Sequence, residues 1–141
     1  MNDQSVICPI CKYGQAIREY RFDQSMVSYQ CPLCGTYEIP VHMREVRLEK
    51  PLNHKLSAWV RERNERGESV RFTNRETIES VLASIPDYTP IEKQVKLLKA
   101  IAKRSSAPGT EVTLNIEKDI PLAYASSSAE FTFYFRALEE R

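Results

Sequence analysis

The chain has 141 residues, 42% hydrophobic and 28% charged, with 20 Lys and Arg against 19 Asp and Glu. That is enough apolar side chain for one packed domain or two small ones, and the near-neutral balance excludes a protein whose affinity depends on massive counterion release. No apolar run approaches the roughly 18 residues of a membrane span, and the opening Met-Asn-Asp-Gln-Ser lacks the basic and apolar regions of a secretory signal, so the expected location is the cytoplasm.

Charge is uneven along the chain. Residues 1–50 hold six basic and six acidic side chains, 51–110 eleven against seven, and 111–141 three against six. The middle segment is a mild attraction for phosphates, and a solvated helix face explains it more simply.

All four cysteines stand near the N-terminus, as Cys8-Pro-Ile-Cys11 and Cys31-Pro-Leu-Cys34-Gly35. Two Cys-x-x-Cys pairs about 15–20 residues apart can return four thiolates to the corners of one tetrahedron around Zn²⁺. In each claw the proline fixes φ for a tight turn, and Gly35 permits the positive φ with which the backbone folds toward the sulfurs. Gly14 comes later in its own claw, which makes the first claw the less regular one. Structural zinc fits this spacing and ligand set best. A rubredoxin-like iron site uses the same two claws, while disulfides or a redox dithiol fit less well in a chain with no secretory signal and two matched pairs. His42 and His54 read as surface histidines, since the thiolate set is complete.

Between the claws, Ala16 to Phe22 and Met26 to Gln30 are strand-like runs separated by Asp23-Gln24-Ser25, and Thr36 to Pro40 follows as a third strand. Arg18, Tyr20, Arg21, Tyr29 and Tyr37 lie on these strands. Interleaved arginines and aromatics can form a surface for nucleic-acid bases, but in so small a sheet the aromatics are more commonly needed to cover the metal and the neighbouring helices.

Cys8, Cys11, Cys31 and Cys34, with their prolines and Gly35, resemble the zinc ribbon family over residues 8 to about 40. No glycine directly follows Cys11, which departs from the family pattern. The resemblance implies a small three-stranded sheet pinned by a structural metal and used to bind nucleic acid or protein. It implies no reaction.

After a linker at 41–51, Leu52, Leu56, Trp59, Val60 and Arg63 share one face of a helix expected over Asn53 to Arg66, with Trp59 anchoring ribbon to helices. Lys55, Arg61, Arg63 and Arg66 are expected on its outer face, where Glu62 and Glu65 interrupt the positive field. Three capping boxes follow, Thr73 with Glu76, Thr89 with Glu92, and Ser127 with Glu130. The helices they open carry the stripes Ile78, Val81, Leu82, Ile85, then Ile91, Val95, Leu98, Ile101, Ala102, then Phe131, Tyr134, Phe135, Leu138. Ala107-Pro108-Gly109 reads as a turn, residues 111–116 as a half-buried strand with Val112, Leu114 and Ile116 inward, and Asp119 to Ala125 as one short helix. Ser126-Ser127-Ser128 reads as a turn and cap, since nothing supplies a general base.

The order helix, strand, short helix, helix resembles the first four elements of a winged helix and stops where the wing should begin. That implies the front part of a longer protein, with Thr132, Phe133 and Arg136 on the outer side of a last helix better suited to touching protein than DNA. The fold class is therefore α+β, a zinc ribbon at 1–43 followed by a mainly α-helical, incomplete winged-helix-like domain at 44–141.

No Gly-rich phosphate loop, His-Glu-x-x-His or Gly-x-Ser-x-Gly is present, and a four-thiolate metal site has no open position for water, so no enzyme is expected. The expectation is a non-catalytic, zinc-stabilised recognition or regulatory module that binds protein, either a partner or a downstream domain. The alternative is DNA or RNA binding through Arg18, Arg21, Lys55, Arg61, Arg63 and Arg66.

Overall fold

The computed structural model describes residues 5–12, 15–21, 25–43, 52–104 and 113–139, with the backbone alone at Arg21, Leu52 and Glu139. Four antiparallel strands form a sheet in sequence order, β1 (Ser5–Val6), β2 (Ala16–Arg21), β3 (Met26–Cys31) and β4 (Gly35–Pro40). The last three are those the alternation predicts. β1 is additional, two residues that pair Ser5 with Ile17 and Val6 with Ala16 and are too few to show a period. The β3–β4 register sets Val27 against Ile39 and Tyr29 against Tyr37. Both pairs fall on one face, because side chains two apart point the same way. All four are buried, and the two tyrosine rings stack with centroids 5.4 Å apart.

Four helices follow, α1 (Leu52–Glu65), α2 (Arg75–Ser84), α3 (Pro90–Arg104) and α4 (Ser128–Glu139), with 3-10 turns at Val41–Met43 and Ile120–Ala123. The cap of α3 is a complete capping box, Thr89 N donating to Glu92 Oε1 at 2.9 Å and Glu92 N to Thr89 Oγ1 at 3.2 Å. At α4 the box is shifted by one residue. Glu130 N donates to Ser127 Oγ, but the Glu130 carboxylate accepts from Ser126 N and Ser126 Oγ. At α2 the expected cap is corrected: Asn74 takes that place and accepts from Thr77 N at 2.8 Å, its amide oxygen standing one residue closer to the first turn than Thr73.

A first core joins the sheet to α1 and α2 through Val27, Tyr29, Tyr37, Ile39, Leu56, Val60, Phe72 and Ile78. Leu56 and Val60 are fully buried, which is worth about 1.5–3 kcal/mol each. Trp59 packs on Phe72 with ring centroids 6.1 Å apart, in the anchoring place expected for it. After α1 the chain returns to the sheet, where Glu38 N donates to Val70 O at 3.0 Å and Phe72 N to Glu38 O at 2.9 Å, so residues 70–72 run parallel along the outer edge of β4. A second, smaller core gathers Leu97, Leu122, Ala123, Ala125, Phe131 and Tyr134. α1 lies between the two.

Two further expectations are corrected. Residues 113–115 form no strand and Ile116–Lys118 form a turn, so among the described residues no strand stands at this place of the winged-helix order; residues 111 and 112 lie outside them. The reason is local. Asn115 Oδ1 accepts from the amides of Glu117 and Lys118, both at 2.9 Å, and Asp119 Oδ2 from Asn115 N at 2.7 Å, so side chains satisfy the backbone that a strand would have paired. On α3, the residue fully buried is Leu97, flanked by Ala100 and Ile101, whereas Ile91, Val95, Leu98 and Ala102 face outward. Phe22, Gly14, Asp23 and Gln24, the linker residues 44–51 and the Ala107-Pro108-Gly109 turn lie outside the described residues.

Candidate metal centre

The two claws meet where β1 leads into β2 and where β3 turns into β4. The Sγ atoms of Cys8, Cys11, Cys31 and Cys34 all lie within 4.8 Å of one another, close enough to hold one metal ion. Ligands about 2.3 Å from a tetrahedral zinc are separated from each other by about 3.8 Å. The distances Cys8–Cys34 and Cys11–Cys31 are 3.8 Å and 3.4 Å, and none of the four sulfurs is in a disulfide. The donor set is thus of the size and chemistry that a soft or borderline cation requires. His42 and His54 are not part of this cluster.

The claws are more alike than their sequences. Gly35, after the last sulfur, has φ +94°, and Lys12, after Cys11, has φ +67°. The first claw therefore makes the same left-handed step without a glycine. Lys12 N donates to Cys8 O at 2.9 Å, and its ammonium reaches back to Pro9 O at 2.6 Å.

A polar stripe on α1 grips the second claw. Ser57 Oγ lies 3.0 Å from Cys34 Sγ, and with sulfur as thiolate the hydroxyl is the donor. One turn on, Arg61 Nη1 donates to Leu33 O at 2.9 Å and to Pro32 O at 3.3 Å. Asn64 then pairs with Thr36 as a neighbouring strand would, Oδ1 accepting from Thr36 N at 2.8 Å and Nδ2 donating to Thr36 O at 3.1 Å. Residues at i, i+4 and i+7 share a helix face, so 57, 61 and 64 address one loop. On the sheet side Tyr37 OH sits 3.0 Å from Cys8 Sγ.

Four sulfurs this close cannot all carry charge without a cation among them. The neighbouring sulfurs of Cys11, Cys31 and Cys34 hold the Cys8 thiol far below its ordinary value, while the sulfur of Cys31 drives Cys11 well above it. Burial pushes Cys34 and Tyr37 up. A positive ion at the centre removes this conflict and favours the thiolate at every corner.

The arginines and lysine considered for nucleic acid are dispersed. Arg18 stacks over Tyr20, its guanidinium carbon 5.0 Å from the ring centroid, and Arg63 over Trp59 at 4.7 Å. Lys55 pairs with Asp87, and Arg66 is 3.7 Å from Glu62 Oε2 with half its side chain exposed. Arg21 stands on β2, its side chain outside the described ones. The outer-face placement of Arg61 is corrected: it is 9% exposed, and besides the second claw it binds Lys118 O at 2.9 Å and Asp119 Oδ1 at 2.6 Å. The reason is that α3 and the Ile120–Ala123 turn cover this side of α1. Glu62 takes Lys96 Nζ and Tyr124 OH, both at 2.8 Å, and Glu65 takes Arg104 Nη2 at 3.2 Å. Burial works to raise the Glu62 carboxyl, but Lys96 and Tyr124 outweigh it and hold it below its usual range.

Sequence reasoning missed Ser57, Asn64 and the burial of Arg61. Their signal was available as a polar stripe at helical spacing, Asn53, Ser57, Arg61 and Asn64, running beside the apolar one. No family model matches the chain, and the searches of curated proteins and of solved structures found no match.

Proposed function

We infer that the chain is a zinc-stabilised docking module that binds protein and performs no chemistry at its metal. Cys8, Cys11, Cys31 and Cys34 would hold one Zn²⁺, which supplies folding free energy and, with four protein ligands, has no position for a substrate or water. Ser57 and Tyr37 fix the orientation and charge of Cys34 and Cys8 from outside the ligand set. Such a site belongs in a reducing compartment such as the cytoplasm, where free thiols persist.

The observation that carries the protein-binding reading is what remains on the surface. The aromatics that bases would stack on are buried, Tyr37 against the Cys8 sulfur and Tyr29 stacked on Tyr37, or are covered by arginine, as Trp59 is. Among their exposed residues the C-terminal helices also present large apolar side chains, including Phe133 at 64% beside Ala129, Thr132, Arg136 and Ala137 on α4. An exposed aromatic with one arginine at its rim suits a protein partner better than a phosphate backbone.

Two measurements on the purified chain test this. Mass spectrometry should find one zinc per chain. A gel-shift series in DNA and RNA should find no retardation at low salt with micromolar protein; retardation that weakens steeply as salt rises would move the function to nucleic acid.

A further inference from the structure

Helix α3 carries two apolar stripes, and the second core uses only one of them. The other, Ile91, Val95, Leu98 and Ala102, runs along the outward side, with Ile91 73%, Val95 43% and Leu98 49% exposed. A helix buried on one side normally shows charge on the other. Here the lysines are displaced to a flank. Lys99 and Lys103 stand exposed on one side of the stripe, and Glu92 stands on that same side near the N-terminal end.

The intervals along the stripe are four, three and four residues, a sequence that reads the same in both directions. Two copies of α3 laid antiparallel about the midpoint between Val95 and Leu98 therefore fall into register with each other. Ile91 comes opposite Ala102, a large side chain against a small one, and Val95 comes opposite Leu98. A two-fold axis also brings like flank against like flank, which places Glu92 of one copy between the levels of Lys99 and Lys103 of the other. A parallel pairing would instead stack Ile91 on Ile91 and carry the two lysine flanks to opposite sides, out of reach of the Glu92 of the other copy.

We propose that this stripe is a self-docking surface that pairs α3 antiparallel with the α3 of a second copy of the chain. The contact is isologous, each patch being its own complement, the commonest way for soluble chains to associate. It deepens the protein-binding reading by naming one partner, and it uses neither the metal site nor Phe133. Three turns of helix against three turns bury on the order of 800 Å², below the roughly 1,200 Å² of standard interfaces. The pair is therefore weak, with a dissociation constant on the order of 100 µM.

Sedimentation equilibrium of the full, zinc-loaded chain from about 10 µM to about 1 mM spans that value. The mass should rise from one chain toward two, and added salt should lower it as the Glu92 to lysine contacts are screened. Leu98→Glu should hold the mass at one chain throughout, with zinc content and unfolding midpoint unchanged because Leu98 supports no core. Lys103→Glu, which sets a glutamate beside the Glu92 of the second copy, should weaken association severalfold, and Phe133→Glu should leave it as it was. A single-chain mass up to about 1 mM overturns the proposal, as does a Leu98→Glu chain that still dimerises. Pelleting of the single chain with anionic phospholipid vesicles, lost in Leu98→Glu, would assign the stripe to a lipid surface and overturn it as well. None of these readings depends on the gel-shift result, so the pairing and the broader function can fail separately.

Discussion

The two halves of the molecule solve the same problem with different means. In the sheet half the interior lies between the sheet and α1 and α2, and it includes a group of four sulfurs that need a cation to share the space. In the half built from α3, the Ile120–Ala123 turn and α4, the core gathers six buried residues with no group of metal ligands among the described ones, and it is joined to α1 by the ion pairs Arg61 to Asp119, Glu62 to Lys96 and Glu65 to Arg104 and by an apolar cluster that holds Ala58 and Tyr124. α1 belongs to both. The side chains that steady the second claw and those that hold the C-terminal helices alternate along it, and Arg61 does both. The half without the sulfur cluster therefore leans on the half that has it.

Removing the metal should therefore bring down both halves together. Cys31→Ser should abolish zinc binding and remove roughly 10 kcal/mol of apparent folding free energy, which is comparable to the whole stability of an ordinary domain. Far-UV circular dichroism should lose the helical signal along with the sheet, and a surviving cooperative helical transition would show that the C-terminal half stands alone. Next in size, Arg61→Ala takes from the buried Asp119 its 2.6 Å partner, leaving Arg104 at 3.6 Å, and should cost about 3 kcal/mol in urea unfolding. Arg61→Lys should recover little of it, because a single ammonium cannot reach the carbonyls of Leu33 and Lys118 and the Asp119 carboxylate at once.

Smaller effects should be confined to one half. In the sheet half, a Cβ at Gly35 would lie 2.9 Å from Asn64 Oδ1 at a φ of +94°, so Gly35→Ala should cost about 2 kcal/mol and loosen the Asn64 to Thr36 pairing, read as faster amide exchange at Thr36. In the other half, burial works to raise the Glu130 carboxyl, but Lys93, Tyr134 and Ser126 outweigh it and hold it at about 2 in the folded chain against an ordinary 4.5. A depressed carboxyl contributes stability that is present above its ordinary value and is lost as pH falls toward the folded one. Glu130→Gln should thus cost about 1 kcal/mol at neutral pH, and its difference from the unaltered chain should close between pH 4.5 and 2. A difference that persists at the acid end would mean that packing, not charge, holds Glu130.

What could be read from the sequence was what is local. The cysteine spacing announced the cluster, alternation announced β2 to β4, and Thr89 with Glu92 announced the start of α3. Reading failed where the outcome depends on a distant element. Arg61 looks like an outer-face arginine until the Ile120–Ala123 turn is placed on top of it. α3 offers two apolar stripes a third of a turn or more apart, and only packing against Phe131 and Tyr134 selects the one with Leu97. The alternation at 112, 114 and 116 is genuine, but a strand needs a neighbour, and Asn115 and Asp119 satisfy the backbone first. β1 has too few residues to carry any period.

The return of residues 70–72 to the sheet has a bearing on how the chain behaves when crowded. Strand edges with free amides and carbonyls are templates for stray chains, and the long outer rim of β4 would be such a template. Val70 and Phe72 cap that rim from within the same molecule, while on the opposite side β1 covers Ala16 and Ile17 of β2. Resistance to fibril formation should therefore reside in this small clasp, which can close only after α1 has carried the chain back to the place it left.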